Sequence, residues 1–188
     1  GRVHVKMDHR YSRGGCFAMG EASKVSGVTQ ELLIFELGER LYALPSSQVR
    51  EVLRAFSAVP IPNAPAIVEG LLNVRGDIIP LLSLRRRLGI AERPLSLTDH
   101  FIIAKEGSRL LALRVDRVVN LQRASFQRPF DPGRYASGSE VISGVATIPD
   151  GMVLIHDLGR FLSAEQSEQL DRAVRDAAGA VREEKEST

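Results

Sequence analysis

The sequence has few of the residues on which disulfide, redox and membrane chemistry depend. It contains one cysteine and no tryptophan, and aromatic residues make up only 5% of the chain. The single cysteine, Cys16, cannot form an internal disulfide. No apolar run approaches the roughly 18 residues of a membrane-spanning helix, and no secretory signal is visible. These features are typical of a protein from a reducing compartment, so we expect a cytoplasmic localisation.

Recognisable catalytic motifs are missing as well. The sequence has no G-x-S-x-G nucleophile turn, no phosphate-binding loop and no dinucleotide fingerprint. Of its four histidines, only His100 and His156 lie beyond the N-terminal segment. His156 precedes Asp157 and could act as a base with an orienting partner, but we favour a hydrogen-bonded histidine at the end of a strand. We therefore expect a protein that is not an enzyme, with no cofactor and no metal ion.

Positive charge is concentrated at the start of the chain. Residues 1–18 carry four basic side chains and one acidic side chain, and the rest of the chain has no excess of basic residues. A surface that binds nucleic acid needs its positive charge on the folded part. Residues 1–27 also lack apolar periodicity, and we interpret them as a disordered leader or an artificial extension, with Met19 as a candidate natural start.

Matching segments indicate an internal duplication. GERLYALPSSQV at residues 38–49 and GSRLLALRVDRV at residues 107–118 share Gly, Arg, Leu, Ala, Leu and Val at the same spacing, 69 positions apart. SLRRRL at residues 83–88 has the same frame as DLGRFL at residues 157–162, 74 positions apart. A third pair of similar strand starts has this second offset, which favours duplication of a mostly β unit over chance similarity.

Each half of the duplication predicts a small closed β-barrel. Alternating apolar residues flank predicted turns, which indicates hairpins at Gly38, Gly76, Gly107 and Gly151. Three prolines, Pro60, Pro62 and Pro65, predict a stiff crossing in the first half, and residues 125–140 form the corresponding irregular loop. We place lobe one at about residues 31–94 and lobe two at about residues 99–162. Because units of this size are marginal alone, we expect an apolar interface between them.

A helix is predicted at the C-terminus, over residues 164–188. Ser163 and Gln166 match a capping box, and five apolar residues then share one helical face: Leu170, Ala173, Val174, Ala177 and Val181. We expect this helix to pack on the barrels, with a frayed tail at its end.

The stretch GLLNVRGDIIPLL, at residues 70–82, places an arginine at the tip of an apolar hairpin. Asn73, Arg75, Gly76 and Asp77 are the strongly polar or flexible positions between the two strands. Arginine beside an apolar patch is common at protein interfaces, but an arginine that only stabilises the turn explains the pattern equally well. We interpret the nearby arginines at residues 85–87 as a solvated helix face.

Residues 67–88, IVEGLLNVRGDIIPLLSLRRRL, closely resemble the signature hairpin of the CheW family, a strand-N-x-R-G-strand-P-x-x-D-L-R pattern. SSQVREV at residues 46–52 is similar to that family's short helical segment, and GVATIPDGMVLIHDLGRFLS to its closing hairpin. The resemblance gives a CheW-like domain at residues 28–165. One departure is Ser83, which stands where the family has aspartate.

The resemblance implies two SH3-like, five-stranded β-barrels, with strand exchange between the lobes allowed. It also implies a non-catalytic adaptor of bacterial chemosensory arrays. The expected partners are the regulatory domain of a CheA-type histidine autokinase and the cytoplasmic tips of methyl-accepting chemotaxis receptors. These receptors would recruit the adaptor to membrane-associated arrays without inserting it into the membrane. The residues carried over as receptor or kinase interface are Val49, Glu51, Gly70, Arg75, Gly76, Phe101 and Leu121.

Two other function classes compete with the adaptor hypothesis. A small barrel can bind oligonucleotides, so a nucleic-acid-binding protein is the alternative. A hydrolase that uses His156 and Asp157 is the third hypothesis, and no nucleophile in a recognisable motif accompanies that pair.

Overall fold

The computed structural model describes residues 28–127, 142–149 and 151–186. The predicted leader, most of the loop predicted at residues 125–140 and the last two residues lie outside the described residues. Ten strands and two α-helices form the described part: β1 (Val28–Leu37), β2 (Arg40–Pro45), β3 (Val49–Arg54), β4 (Val68–Val74), β5 (Asp77–Ser83), α1 (Leu84–Arg87), β6 (His100–Glu106), β7 (Arg109–Val115), β8 (Arg117–Gln127), β9 (Ile142–Ile148), β10 (Gly151–His156) and α2 (Ala164–Glu186). Short 3-10 turns occupy Ser46–Gln48 and Leu158–Arg160. The prediction of a mostly β chain that ends in a helix is confirmed.

The strands form two five-stranded sheets, and each sheet takes strands from both halves of the chain. The first sheet is a closed barrel in the order β1-β2-β10-β9-β8, and the second sheet has the order β3-β6-β7-β5-β4. The first hairpin of each half therefore joins the last three strands of the other half. The contiguous lobes predicted at residues 31–94 and 99–162 do not coincide with the sheets. The exchanged hairpins gain parallel partners for edges that would otherwise be unpaired.

Equivalent registers in the two sheets support the predicted duplication. Ala43 of β2 pairs in parallel with Ile155 of β10, and Ala112 of β7 pairs in parallel with Leu81 of β5. The two alanines are 69 positions apart and their partners are 74 positions apart, which are the offsets of the sequence repeat.

β3 and β4 are the two edge strands of the second sheet, and they are not paired with each other. The proline-containing crossing links them instead: it follows β3 in the chain, and its Val59 forms an isolated bridge with Leu71 of β4, with two N–O distances of 2.9 and 2.8 Å. Gly70 permits this approach, since a Cβ there would lie 2.5 Å from the carbonyl oxygen of Val59. The crossing thus acts as the closing edge of the second sheet.

Within the part of the chain that the structure describes, three apolar clusters form the core. One lies inside the first sheet and includes Ile34 and Val153, and another lies within the second sheet around Ile79. The third joins residues of both sheets, such as Phe35 and Leu113, and α2 adds Leu170 to it. This third cluster is the shared interface expected for two marginal lobes. No helix in the described ranges is both long and apolar enough to cross a membrane.

Candidate functional site

The tip of the β4–β5 hairpin carries Arg75 in an uncommon backbone conformation. Its φ angle is 54°, in the left-handed region that non-glycine residues seldom adopt. Gly76, also at positive φ, donates its backbone N–H to Asn73 Oδ1 at 2.9 Å. The turn is therefore stabilised by its asparagine and glycine, and it leaves the Arg75 side chain 62% exposed.

Two ion pairs join this tip to β3. Arg75 Nη2 lies 2.9 Å from Glu51 Oε2, and Arg50 Nη1 lies 2.7 Å from Asp77 Oδ2. Because β3 and β4 are the edge strands of the second sheet, the pairs tie the two edges together where backbone hydrogen bonds are missing. We call Arg50, Glu51, Arg75 and Asp77 the hairpin-tip cluster. The alternatives for Arg75 are thus compatible: it stabilises the fold and still exposes N–H donors.

Two other predicted site residues, Val49 and Leu121, are at least partly exposed, but they lie in different parts of the structure. Val49 is half-buried at the start of β3, one residue before the hairpin-tip cluster begins in the sequence. Leu121 is 52% exposed, but it lies on β8 of the first sheet, opposite Leu33 of β1. The structure thus brings Glu51 of β3 to Arg75 and Gly76 at the tip of the β4–β5 hairpin and leaves Leu121 on the other sheet.

Phe101 and Gly70 do not fit the expectation of surface contacts. Phe101 is fully buried in the second sheet, with its ring centroid 5.4 Å from that of Phe56. β6, which carries Phe101, is an interior strand of the sheet. Gly70 is also buried, beneath the Val59 backbone. Both residues shape the fold below the candidate surface and do not present side chains on it.

An apolar groove of about 530 Å³ lies next to the hairpin. Its walls come from the proline crossing at residues 59–62, from β4 and β5, and from Val174 and Ala177 of α2. Val59 is 67% exposed and Ile78 is 54% exposed at this groove. An apolar groove with an arginine beside it has the composition of a protein interface. In such interfaces the buried apolar area contributes affinity, and the arginine orients the partner through hydrogen bonds.

A partly buried ionic network, which no sequence pattern indicated, links the two sheets. Asp116 lies between β7 and β8 and accepts hydrogen bonds from Gly38 N at 2.7 Å, Arg85 Nη2 at 2.6 Å and Arg93 Nη2 at 2.8 Å. Burial raises the pKa of Asp116, but the hydrogen bonds from Arg85 and Gly38 more than offset this, so its pKa lies below the ordinary value. The carboxylate therefore stays ionised and connects the turn of the first sheet to the second.

The network continues through Asp99, which is fully buried. Its carboxylate lies 2.5 Å from Arg93 Nη2 and 3.0 Å from Arg114 Nε. Arg114 also donates to the carbonyl oxygens of Arg93 and Pro94 at 2.9 and 2.8 Å. Buried charges are tolerated when they are paired in this way, and the segment between β5 and β6 is held in place as a result.

The interpretation of residues 85–87 as a solvated helix face is wrong for Arg85, whose side chain is 11% exposed, whereas Arg86 keeps 41% of its side chain in solvent. Arg85 pairs with Asp116, Arg86 donates to the Ala66 carbonyl oxygen at 2.5 Å, and Arg87 donates to the Arg160 carbonyl oxygen at 3.1 Å. Ser83 meanwhile caps α1 by accepting a hydrogen bond from Arg86 N. The serine thus fills the turn position where the family has aspartate.

His156 and Asp157 do not form the pair of general base and orienting carboxylate that a hydrolase would need. His156 is 1% exposed, and burial lowers its pKa to about 4. Its ring centroid lies 5.0 Å from that of Tyr42 and 5.6 Å from that of Phe161. Neither ring nitrogen has a hydrogen-bond partner within the described residues, so the predicted hydrogen bond is wrong. Asp157 instead accepts the Gly159 N–H at 3.0 Å.

Comparison with known proteins links this geometry to one family. The family model for the CheW-like domain matches residues 31–166. The chain is 30% identical over 146 residues to the chemotaxis protein CheW of Treponema pallidum, which covers 74% of this chain and 86% of that protein. It is 26% identical over 163 residues to the chemotaxis protein CheW of Klebsiella aerogenes, with 84% and 97% covered. The crystal structure of the scaffolding protein TtCheW from Thermoanaerobacter tengcongensis aligns with a TM-score of 0.64 at 30% identity, over 70% of this chain and 90% of that one.

Proposed function

Since the chain belongs to the CheW-like domain family, we propose that it is a non-catalytic adaptor that couples methyl-accepting chemotaxis receptors to a CheA-type histidine autokinase. The sequence resemblance to chemotaxis and scaffolding proteins supports this role over most of the chain. The adaptor would act in the cytoplasm and reach membrane-associated arrays through its receptor. It would contact the regulatory domain of the kinase through a surface away from the groove.

The exposed guanidinium of Arg75 is the observation that carries the receptor half of this proposal. Arg75 is held at one position by its left-handed turn and by Glu51, and more than half of its side chain remains in solvent. A helical receptor tip could place carboxylate or carbonyl oxygens against its free N–H groups while apolar residues enter the groove near Ile78. Val49, Glu51 and Gly76 complete this contact surface, and Leu121 extends it to the first sheet. Gly70 and Phe101 support it from below.

Charge reversal at Arg75 tests the proposal. The Arg75→Glu protein should remain folded, because loss of the exposed ion pair with Glu51 costs on the order of 1 kcal/mol. Receptor binding should weaken roughly 30-fold to several-thousand-fold, which corresponds to about 2–5 kcal/mol for a disrupted charged contact. Titration with a receptor cytoplasmic fragment and, separately, with the kinase regulatory domain measures both affinities. Binding to the kinase domain should be unchanged.

Arg160→Glu is the matched control. Arg160 has a similarly exposed side chain (57%) and an ion pair with Asp157 at 3.4 Å, and it lies in the 3-10 turn after β10, which contributes no residue to the proposed contact surface. Its reversal should leave receptor affinity within about twofold of the parent. Unchanged receptor binding by a folded Arg75→Glu protein would remove Arg75 from the interface. An equal loss in both variants would mean that general electrostatic attraction, and not a defined contact, drives binding.

A further inference from the structure

Polar contacts fix the first half of α2 to the second sheet. Arg109, at the start of β7, donates to Ser167 Oγ at 2.6 Å and to both oxygens of Asp171 at 2.6 and 2.7 Å. Gln169 Nε2 donates to the Asn63 carbonyl oxygen at 2.9 Å, on the proline crossing. We call Arg109, Ser167 and Asp171 the helix clamp.

Apolar packing under α2 changes along the helix. Leu170 and Ala173 are 1% and 4% exposed and pack firmly. Further on, Val174 and Ile78 both line the apolar groove of about 530 Å³ and a second cavity of about 290 Å³. Ile78 remains 54% exposed although the helix passes close to it. Side chains that have open space on both sides lose part of the dispersion energy of a packed core. The packing under α2 is therefore tight at Leu170 and Ala173 and looser at Val174.

The clamp itself is partly solvated. The Arg109 side chain is 27% exposed and that of Asp171 is 46% exposed, and an ion pair in such a position contributes modestly and weakens with salt. We propose that α2 is a releasable strap: the helix clamp holds it against the second sheet, and its release removes the wall that Val174 and Ala177 give to the apolar groove beside the hairpin-tip cluster. Release of α2 is measured on this chain without a receptor or a kinase, so the result does not depend on the proposed adaptor role.

Thiol labelling of a buried position on α2 tests the strap. In a Cys16→Ser background, Ala173→Cys places one thiol at a 4% exposed site on the docked face, where it reacts only when the helix lifts. Asp171→Ala removes the bidentate partner of Arg109 and keeps a good helix former. The labelling rate with a thiol reagent should rise roughly three- to tenfold, as expected for loss of a partly solvated bidentate pair. Salt should raise the rate in the clamped protein and have little effect in the Asp171→Ala protein.

Two controls separate local release from other effects. Asp176→Ala is the same change at an exposed position of the same helix that is not part of the clamp, and it should leave the rate unchanged. Ala146→Cys is fully buried in the first sheet and reports global opening, so its rate should not respond to Asp171→Ala. Equal labelling of Ala173→Cys with and without Asp171 would overturn the proposal. A parallel rise at Ala146→Cys would also overturn it, because the clamp would then stabilise the whole fold.

Discussion

The ring of His156 lies between Tyr42 and Phe161 in the interior, with burial lowering its pKa to about 4. In an unfolded chain the pKa of histidine is about 6.5. Between these two values the unfolded chain binds a proton that the folded protein does not bind, so the free energy of unfolding falls as the pH drops from about 6.5 to 4. The difference between the two pKa values corresponds to about 3 kcal/mol in the free energy of unfolding, and this contribution is fully lost below pH 4.

His156→Phe should remove most of this pH dependence. The phenyl ring keeps the aromatic packing and cannot be protonated, so stability at pH 5 should fall less from its value at pH 7.5 than in the parent. Urea unfolding at a series of pH values measures the effect. His100, whose pKa burial also lowers, contributes in the same direction, and His100→Gln isolates its share. Parallel stability curves for the parent and His156→Phe would show that His156 does not cause the acid sensitivity.

Individual residue roles were predictable only where the local pattern constrains them. Arg75 and Glu51 were expected near one surface through the family resemblance, and they form an ion pair. Phe101 lies in the run HFIIA, where no polar alternation shows which side faces the interior, and its burial follows from the position of β6 within the sheet. Asp116 follows an apolar strand like many loop residues, and its partners come from distant parts of the chain. No sequence spacing reveals such a network.

At the scale of elements, the proline crossing has an unexpected part in the second sheet. The prolines predicted its stiffness, and the structure shows that it also forms the closing bridge between Val59 and Leu71. A residue with a Cβ at position 70 would collide with this bridge, so the glycine is required by the close approach of two backbones. Hairpins and helices were predicted from local periodicity, whereas the closure of this sheet depends on a tertiary contact.

Gly70→Ala should therefore open the edge of the second sheet. The methyl group would stand 2.5 Å from a backbone oxygen, and relief of this clash should cost about 1–3 kcal/mol. Gly107→Ala is the control: its Cβ would meet nothing within 4 Å, so only the cost of a left-handed alanine, about 1 kcal/mol, applies. Chemical denaturation gives both values, and hydrogen exchange at the Leu71 amide reports the bridge. If both variants lose the same free energy of unfolding and the Leu71 amide of Gly70→Ala stays fully protected from exchange, the crossing accommodates the methyl group without strain.

At the scale of the whole molecule, charge distinguishes the adaptor from the nucleic-acid-binding alternative. The exposed basic residues at the hairpin tip are paired with carboxylates, and the surplus positive charge of the sequence lies in residues 1–18. A protein that lacks these residues should bind oligonucleotides no more tightly than the micromolar, non-specific range at physiological salt. Fluorescence anisotropy at several salt concentrations measures this. Tight binding with a steep salt dependence would favour the nucleic-acid hypothesis.

The reciprocal exchange of hairpins constrains the order in which this protein can fold as it is synthesised. Of the ten strands described, β1 and β2 leave the ribosome first, but the strands that complete their barrel end at His156. The first sheet must therefore wait for most of the chain, while the second can form once β7 has appeared. Pairings that join such distant segments fold slowly, and until they form, the N-terminal hairpin has two unpaired edges. The two strands of the fold that are made first are therefore among the last to be enclosed.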